Sequence, residues 1–83
     1  MMVLFVANSC EIINYNADIQ KYTAQINQNP NDAEAYYRRG NAYANLGKYK
    51  LAIADYDKAI ELNPDFVWAY NNRGIAYYEL EKY

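Results

Sequence analysis

Apolar and small side chains recur at helical intervals along most of the chain. Between residues 33 and 46 they stand three or four positions apart, as in Tyr36, Gly40 and Tyr43, which is the spacing of one face of an α-helix. The same spacing returns between residues 49 and 62. The pattern predicts α-helices at about residues 16–28, 33–46, 49–62 and 67–81. The core predicted for the second and third of these helices is Tyr43, Ile53, Tyr56 and Ile60.

Residues that favour helix ends stand at the borders of these blocks. Asn31, with Glu34 three positions later, has the spacing of an N-cap and its capping-box partner. Gly47 suits the left-handed residue that ends many helices. Asn63 precedes Pro64 and is therefore disfavoured in helical conformation. Each helix is predicted to be short and to turn back on its neighbour.

The chain repeats itself with a period of 34 residues. Residues 33–49 laid over 67–83 give 9 identities in 17 positions, and residues 15–32 laid over 49–66 give six in 18. Gly40 recurs as Gly74 at the same phase. Because glycine inside a helix costs about 1 kcal/mol relative to alanine, we interpret both positions as sites of close helix approach. Internal repeats of this length are typical of stacked helical arrays.

These residues resemble the tetratricopeptide-repeat family, whose pattern combines spaced aromatic, Gly, Ala and Pro positions. Here that pattern is Tyr36, Arg39-Gly40, Tyr43, Ala52, Tyr56, Pro64 and, in the next copy, Tyr70, Arg73-Gly74, Tyr77. The chain departs from it at Arg39 and Arg73, where Leu is usual. We expect both Arg stems to lie along the helix pair with their heads in water.

The resemblance implies an all-α fold of antiparallel helix-turn-helix repeats, stacked as a right-handed superhelical solenoid. About two to two and a half repeats are expected: a degenerate repeat in residues 1–32, a complete one in 33–66, and the first helix of another in 67–83. Residues 1–14 share no identity with 35–48. A helix is favoured there, with an irregular arm as the alternative, because the phase of the first helix is kept by Met2, Phe5, Ser9 and Ile12.

The resemblance also implies a concave groove, lined by the first helix of each repeat, that binds a peptide or a helix of another protein. Asn side chains can donate to and accept from a peptide main chain, and aromatic rings supply apolar contact area. The competing interpretation is that the Asn residues are solvated and the rings pack on neighbouring repeats. The groove candidates are Tyr37, Asn41, Asn45, Trp68, Asn71, Asn72, Ile75 and Tyr78.

One subset of the family grips the C-terminal carboxylate of chaperones with cations and an amide. Asn41 matches one position of that clamp, but Val3 and Trp68 stand where cations are required. The clamp is therefore incomplete, which argues against a chaperone-linked role.

Composition narrows the function further. Eight basic against ten acidic residues give a net charge of -2, which does not attract nucleic acid. With no His and a single Cys10, the chain lacks the usual zinc ligands and the Ser/His or Cys/His nucleophile pairs. No stretch is apolar enough to span a membrane, so we expect a cytoplasmic protein. We predict no enzymatic activity, no cofactor and no metal. The scattered carboxylates Asp55, Asp57 and Glu61 give catalysis little support, because Asp57 and Glu61 have the pattern of a solvated helix surface.

The alternative to a peptide receptor is self-association. Tyr83 aligns with Tyr49, the first residue of a second helix, so the last helix is expected to lack its mate. Homo-oligomers would form by docking of last helices or by a domain swap at the Gly47 turn. Tyrosine, at 11 of 83 residues, serves either packing or such a binding face. The self-association candidates are Trp68, Tyr70, Gly74, Tyr77 and Tyr83.

Overall fold

Four α-helices make up the chain in the computed structural model, which describes the backbone of residues 2–82 and the side chains of residues 14–82. No strand occurs among the described residues. The predicted all-α fold is therefore confirmed, whereas the right-handed superhelix stays a prediction. Tyr83 lies outside the described residues, as do the side chains of Met2, Val3, Phe5, Ser9 and Ile12. The helices are α1 (Met2–Gln28), α2 (Ala33–Asn45), α3 (Tyr49–Leu62) and α4 (Val67–Glu81).

Consecutive helices pair antiparallel, because short turns connect them and their contacts mirror each other across each turn. Arg39 on α2 bonds Asp55 on α3, across the turn at Gly47. Arg73 on α4 bonds Asp57 on α3, across the next turn. α4 also reaches α2 two helices back, which places these two helices side by side on one surface of the stack.

The helix ends follow the sequence signals with one exception. Gly47 has a φ of 77° and ends α2 in the left-handed region, as predicted. Asn63 ends α3 in an extended conformation before Pro64, also as predicted. The predicted N-cap of α2 was wrong by one residue: Asp32, not Asn31, accepts from the backbone N–H of Ala35 at 3.1 Å. Aspartate is as good an N-cap as asparagine, so type alone did not decide between neighbours.

α1 is longer than the sequence indicated. The predicted helix over residues 16–28 is the second half of one continuous helix, Met2–Gln28, so residues 2–14 are helical but no turn separates them from that second half. Ile13 stands where the repeat has Gly47, and residues 2–28 contain no Gly or Pro that would end a helix. Residues 1–32 therefore contribute one described helix instead of a helix pair, and the domain division stays a prediction.

The core is built from small residues around one large ring. Tyr56 is 1% exposed and forms a buried cluster with Ala52, Ile53 and Ala76, against which Tyr43 packs. Ile60 was predicted to join this cluster but is half-buried outside it. Small residues also fill the helix interfaces, where Ala35 and Ala42 recur 34 residues later as Ala69 and Ala76. The buried alanines are Ala35, Ala42, Ala52, Ala59, Ala69 and Ala76.

A charged clasp joins α1, α2 and α3. Arg39 binds both oxygens of the buried Asp55 carboxylate, at 2.8 and 2.7 Å, and donates to the Thr23 hydroxyl on α1 at 3.2 Å. The rings of Tyr36 and Tyr43 lie 5.8 and 5.9 Å from its guanidinium. The expectation that the Arg39 head lies in water was wrong, because Asp55 supplies a bidentate partner that offsets its desolvation. Hydrogen bonds to Asp55 raise the pKa of Arg39.

Candidate functional site

A cleft of about 280 Å³ opens between α2 and α4, with α3 beneath it. α2 and α4 place their polar stripes on its two sides because they lie in the same phase of the repeat. Its floor is the ring of Tyr56. The lining consists of Asn41, Ala44, Asn45, Tyr49, Tyr56, Asn72, Ile75 and Ala76.

A hydrogen-bond network fixes the polar groups of this cleft. The Tyr56 hydroxyl donates to Asn41 Oδ1 at 2.6 Å, and Asn72 Nδ2 donates to the same oxygen at 2.9 Å. Asn72 Nδ2 also donates to the Tyr37 hydroxyl at 3.2 Å. Because its oxygen accepts two hydrogen bonds, the Asn41 amide has one orientation. Its Nδ2 hydrogens then remain for a ligand.

The unused polar groups of the cleft are amides. Asn41 Nδ2 makes no hydrogen bond to any described residue, and the exposed Asn45 lies one turn further along α2. None of the lining side chains is charged. Ile75 and the alanines supply the apolar part of the wall. Chemically, the cleft suits an uncharged group with a hydrogen-bond acceptor beside a small apolar side chain.

Tyr56 remains a neutral donor throughout the physiological range. Burial raises the pKa of its hydroxyl to about 12, and neighbouring Tyr37 acts in the same direction. Because Tyr56 is buried, ionisation would place a charge away from water. The Tyr56–Asn41 bond is thus a constant feature of the site near neutral pH.

A second, smaller cleft of about 140 Å³ lies between α1 and α2. It shares Asn41 and Asn45 with the first cleft, and so the two flank one polar stripe of α2. Its remaining lining is partly charged and consists of Tyr15, Asp18, Tyr22, Arg38 and Ala42. We refer to these two clefts, on either side of α2, as the groove across α2.

The structure brings together four of the eight predicted groove residues: Asn41, Asn45, Asn72 and Ile75 line the first cleft. Tyr37 was predicted to offer a side-chain pocket, but its ring packs 4.8 Å from that of Phe66 and only its hydroxyl joins the network. The other three lie on α4 outside the two clefts, and these are Trp68, Asn71 and Tyr78.

Two lining residues escaped the sequence analysis. Tyr49 and Tyr56 belong to α3, for which no groove residue was predicted. The signal that could have found Tyr56 is its hydroxyl, since a fully buried Tyr normally has a hydrogen-bond partner and the facing helix offers polar side chains such as Asn41.

Comparison with known families fits this geometry. A family model described as TPR repeat matches residues 40–81, just over half of the chain, and one described as tetratricopeptide repeat matches residues 22–54. The chain belongs to the tetratricopeptide-repeat family. No protein with curated annotation matches it.

Tetratricopeptide repeats are in general non-catalytic modules for protein–protein interaction. No helix among residues 2–82 is both long enough and apolar enough to span a lipid bilayer. The described side chains also contain no group of three or more metal-ligating residues.

Proposed function

We propose that this tetratricopeptide-repeat chain is a non-catalytic module that binds an extended segment of another protein in the groove across α2. The observation that carries the proposal is the Asn41 amide in the lining of the cleft, because Tyr56 and Asn72 hold its oxygen and its Nδ2 makes no hydrogen bond to a described residue. A main-chain carbonyl is the acceptor that every peptide offers at regular intervals.

The side chains that line the first cleft favour a short uncharged stretch of a bound peptide over its charged terminus. The first cleft has no charged lining residue, so a carboxylate there would lose its hydration without gaining an ion pair. About 280 Å³ is room for a few peptide atoms and one or two small apolar side chains. Asn45 extends the polar stripe for a second main-chain contact.

Selection of peptides from a random library against the whole 83-residue chain tests this proposal. We expect binders with small apolar residues and affinity reduced roughly tenfold by Asn41→Ala or Asn72→Ala, the value of about one good hydrogen bond. The matched control is Asn27→Ala, an exposed position on α1, which should leave affinity unchanged. Peptides that bind equally well to the Asn41→Ala variant would refute the groove.

Self-association is a second candidate, favoured by the exposed apolar side of α4. Trp68, Ile75 and Tyr78 are each more than half exposed, and Tyr70 and Tyr77 are nearly so. Burial of such side chains against another copy would remove them from water, at about 1.5–3 kcal/mol each. Contiguous exposed apolar surface of this kind often marks an interaction site.

Light scattering over a range of concentrations tests this second candidate. If α4 mediates a dimer, Tyr77→Glu dissociates it, whereas Leu51→Glu on α3, at almost the same exposure, does not. A monomer at every concentration would refute it. Our proposal also includes a cytoplasmic location and the absence of turnover, to be tested by a fluorescent fusion and by substrate screening.

A further inference from the structure

The second cleft, between α1 and α2, is built from the same positions of the repeat as the first. Tyr15 and Tyr22 of α1 stand 34 residues before Tyr49 and Tyr56 of α3. The earlier pair lines the second cleft and the later pair lines the first. The facing wall is α2 in the second cleft and α4 in the first. The two clefts can therefore be compared position by position.

One position of the second cleft has a different chemistry. Asp18 stands 34 residues before Ala52, which is 0% exposed beneath α2. The helices approach closely there, since a methyl group on Gly40 would lie 3.3 Å from the Ala52 carbonyl oxygen. No described helix covers Asp18 in this way, because α1 is continuous from Met2 to Gln28 and contacts α2 alone among the described helices. Asp18 is half-buried and lines the cleft.

The open floor of this cleft follows from residues inside the chain. In the register of the repeat, Val6 stands in the place of Gly40 and Asp18 in the place of Ala52. A helix that packed on α1 as α2 packs on α3 would bring valine instead of glycine to the closest approach, and it would bury a carboxylate. Both changes oppose such a cover and leave Asp18 accessible in the cleft.

The carboxylate of Asp18 is unpaired. It makes no hydrogen bond and no ion pair with a described residue. The guanidinium in the cleft lining, that of Arg38, is paired with Glu34 at 2.8 Å. Lys21, on the same helix as Asp18, lies over the Tyr22 ring at 5.3 Å. The cleft therefore has a negative charge that a bound cation would neutralise.

Two tyrosines flank this carboxylate. Tyr15 is three positions before Asp18 and Tyr22 is four positions after it, so all three lie on one face of α1 and line the cleft. Aromatic rings attract a cation within about 6 Å of their centroids, as Tyr22 does with Lys21. A carboxylate between two half-buried rings suits the apolar stem and the charged head of a lysine or arginine side chain.

We propose that the second cleft binds a lysine or arginine side chain of the same peptide segment whose small apolar residues occupy the first cleft. The inference rests on the proposed peptide binding and adds a specificity to it. Asp18 accepts hydrogen bonds from the cationic head, and the rings of Tyr15 and Tyr22 flank its stem. The groove across α2 then selects a segment with a basic residue at this position and rejects one with an acidic residue there.

The width of α2 sets the spacing within that segment. Asn41 and Asn45 line both clefts, so the bound main chain passes over them from one cleft to the other. An α-helix with its side chains is about 10–12 Å wide, and an extended peptide advances about 3.3 Å per residue. The basic residue should therefore stand about three or four positions from the small apolar one.

Parallel selections from one random peptide library with blocked ends test this specificity. The baits are the whole chain, its Asp18→Asn variant and the control Asp65→Asn, which removes the same charge from an exposed position between α3 and α4. The whole chain and Asp65→Asn should enrich peptides with Lys or Arg about three or four positions from a small apolar residue. Asp18→Asn should enrich the apolar residue without the basic one.

Titration of one selected lysine peptide measures the contact. Replacement of its lysine by glutamine should weaken binding to the whole chain about fivefold, as expected for a partly exposed ion pair. The same replacement should not change binding to Asp18→Asn. A peptide with glutamate at this position should bind poorly to the whole chain and regain affinity for Asp18→Lys, an exchange that an unfolded variant cannot produce.

The outcomes separate this inference from the proposal on which it rests. Enrichment of small apolar residues with no preference for Lys or Arg would overturn the cation site and leave groove binding intact. An equal preference for basic residues with Asp18→Asn would also overturn it, because the cation would then lie elsewhere. No enrichment with any bait would overturn both.

Discussion

α2 and α4 are two copies of one helix in two environments. Each presents an Arg-Gly pair between aromatic rings, yet α2 is enclosed by α1 and α3 while α4 is enclosed on one side only. The same residue types therefore have different effects: Gly40 is a packing requirement, whereas Gly74 is not. In a repeat array, position in the stack decides what a residue contributes, in addition to its type.

The largest expected difference between the two copies lies in their ion pairs. Asp55 is 7% exposed and Arg39 19%, so Asp55→Ala strands a largely buried cation and should reduce the free energy of unfolding by about 3–5 kcal/mol. Urea unfolding measures this loss. The double variant Arg39→Met, Asp55→Leu should recover most of it, because an apolar pair leaves no unpaired charge. A loss below about 1 kcal/mol for Asp55→Ala would show that the clasp is not buried in solution.

The hydroxyl at the floor of the groove should have a smaller effect. Tyr56→Phe removes its bond to Asn41 and should cost about 0.5–1.5 kcal/mol by the same unfolding measurement. Tyr77→Phe on the exposed face of α4 is the control and should be close to neutral. A neutral Tyr56→Phe would mean that Asn41 is not held by this bond, and the groove proposal would lose its main support.

The same hydroxyl predicts a distinct response to alkali. Its folded pKa, about 12, lies above the ordinary value near 10, so folding favours the neutral form. The resulting stabilisation is complete below pH 10 and disappears as pH rises through 12. Absorbance titration should show one tyrosine ionising late, and Tyr56→Phe should remove that phase. Ionisation of every tyrosine near pH 10 would contradict the buried site.

The smallest effect belongs to the ion pair on α4. Asp57 is 52% exposed, and Asp57→Ala should change the free energy of unfolding by less than about 1 kcal/mol. The ratio of this change to the change for Asp55→Ala compares the contributions of the Arg73 and Arg39 ion pairs to stability. Equal losses would indicate that α4 is as enclosed in solution as α2.

Much of the fold could be predicted because the 34-residue repeat indicates where helices and turns lie. The turn at Gly47 and the helix end at Asn63 depend on backbone preferences that are written locally. The absence of a turn near Ile13 could also have been predicted from the local sequence, since Ile13 stands where the repeat has Gly47. It was overlooked because the weak repeat in residues 1–32 was taken to keep the full pattern.

The groove could be predicted only in part. Helical phase placed Asn41 and Asn45 on the stripe that lines the clefts, but it could not show that Tyr37 packs on Phe66, a residue of the turn between α3 and α4. Nor could it pair Arg39 with Asp55, because a charged residue in a helix pattern is normally solvated. Contacts between residues on different helices depend on how far the helices are shifted along one another. The length of the sequence repeat does not specify that shift.

The two glycines offer the most direct test of the difference between α2 and α4. Gly40→Ala places a methyl group against Tyr56 and should lower the free energy of unfolding by about 1–3 kcal/mol. Gly74→Ala enters open space on a helix and should raise it by about 0.5–1 kcal/mol. Opposite signs, measured side by side in urea, are the predicted result. Destabilisation by both substitutions would contradict it, because Gly74 would then be covered as Gly40 is.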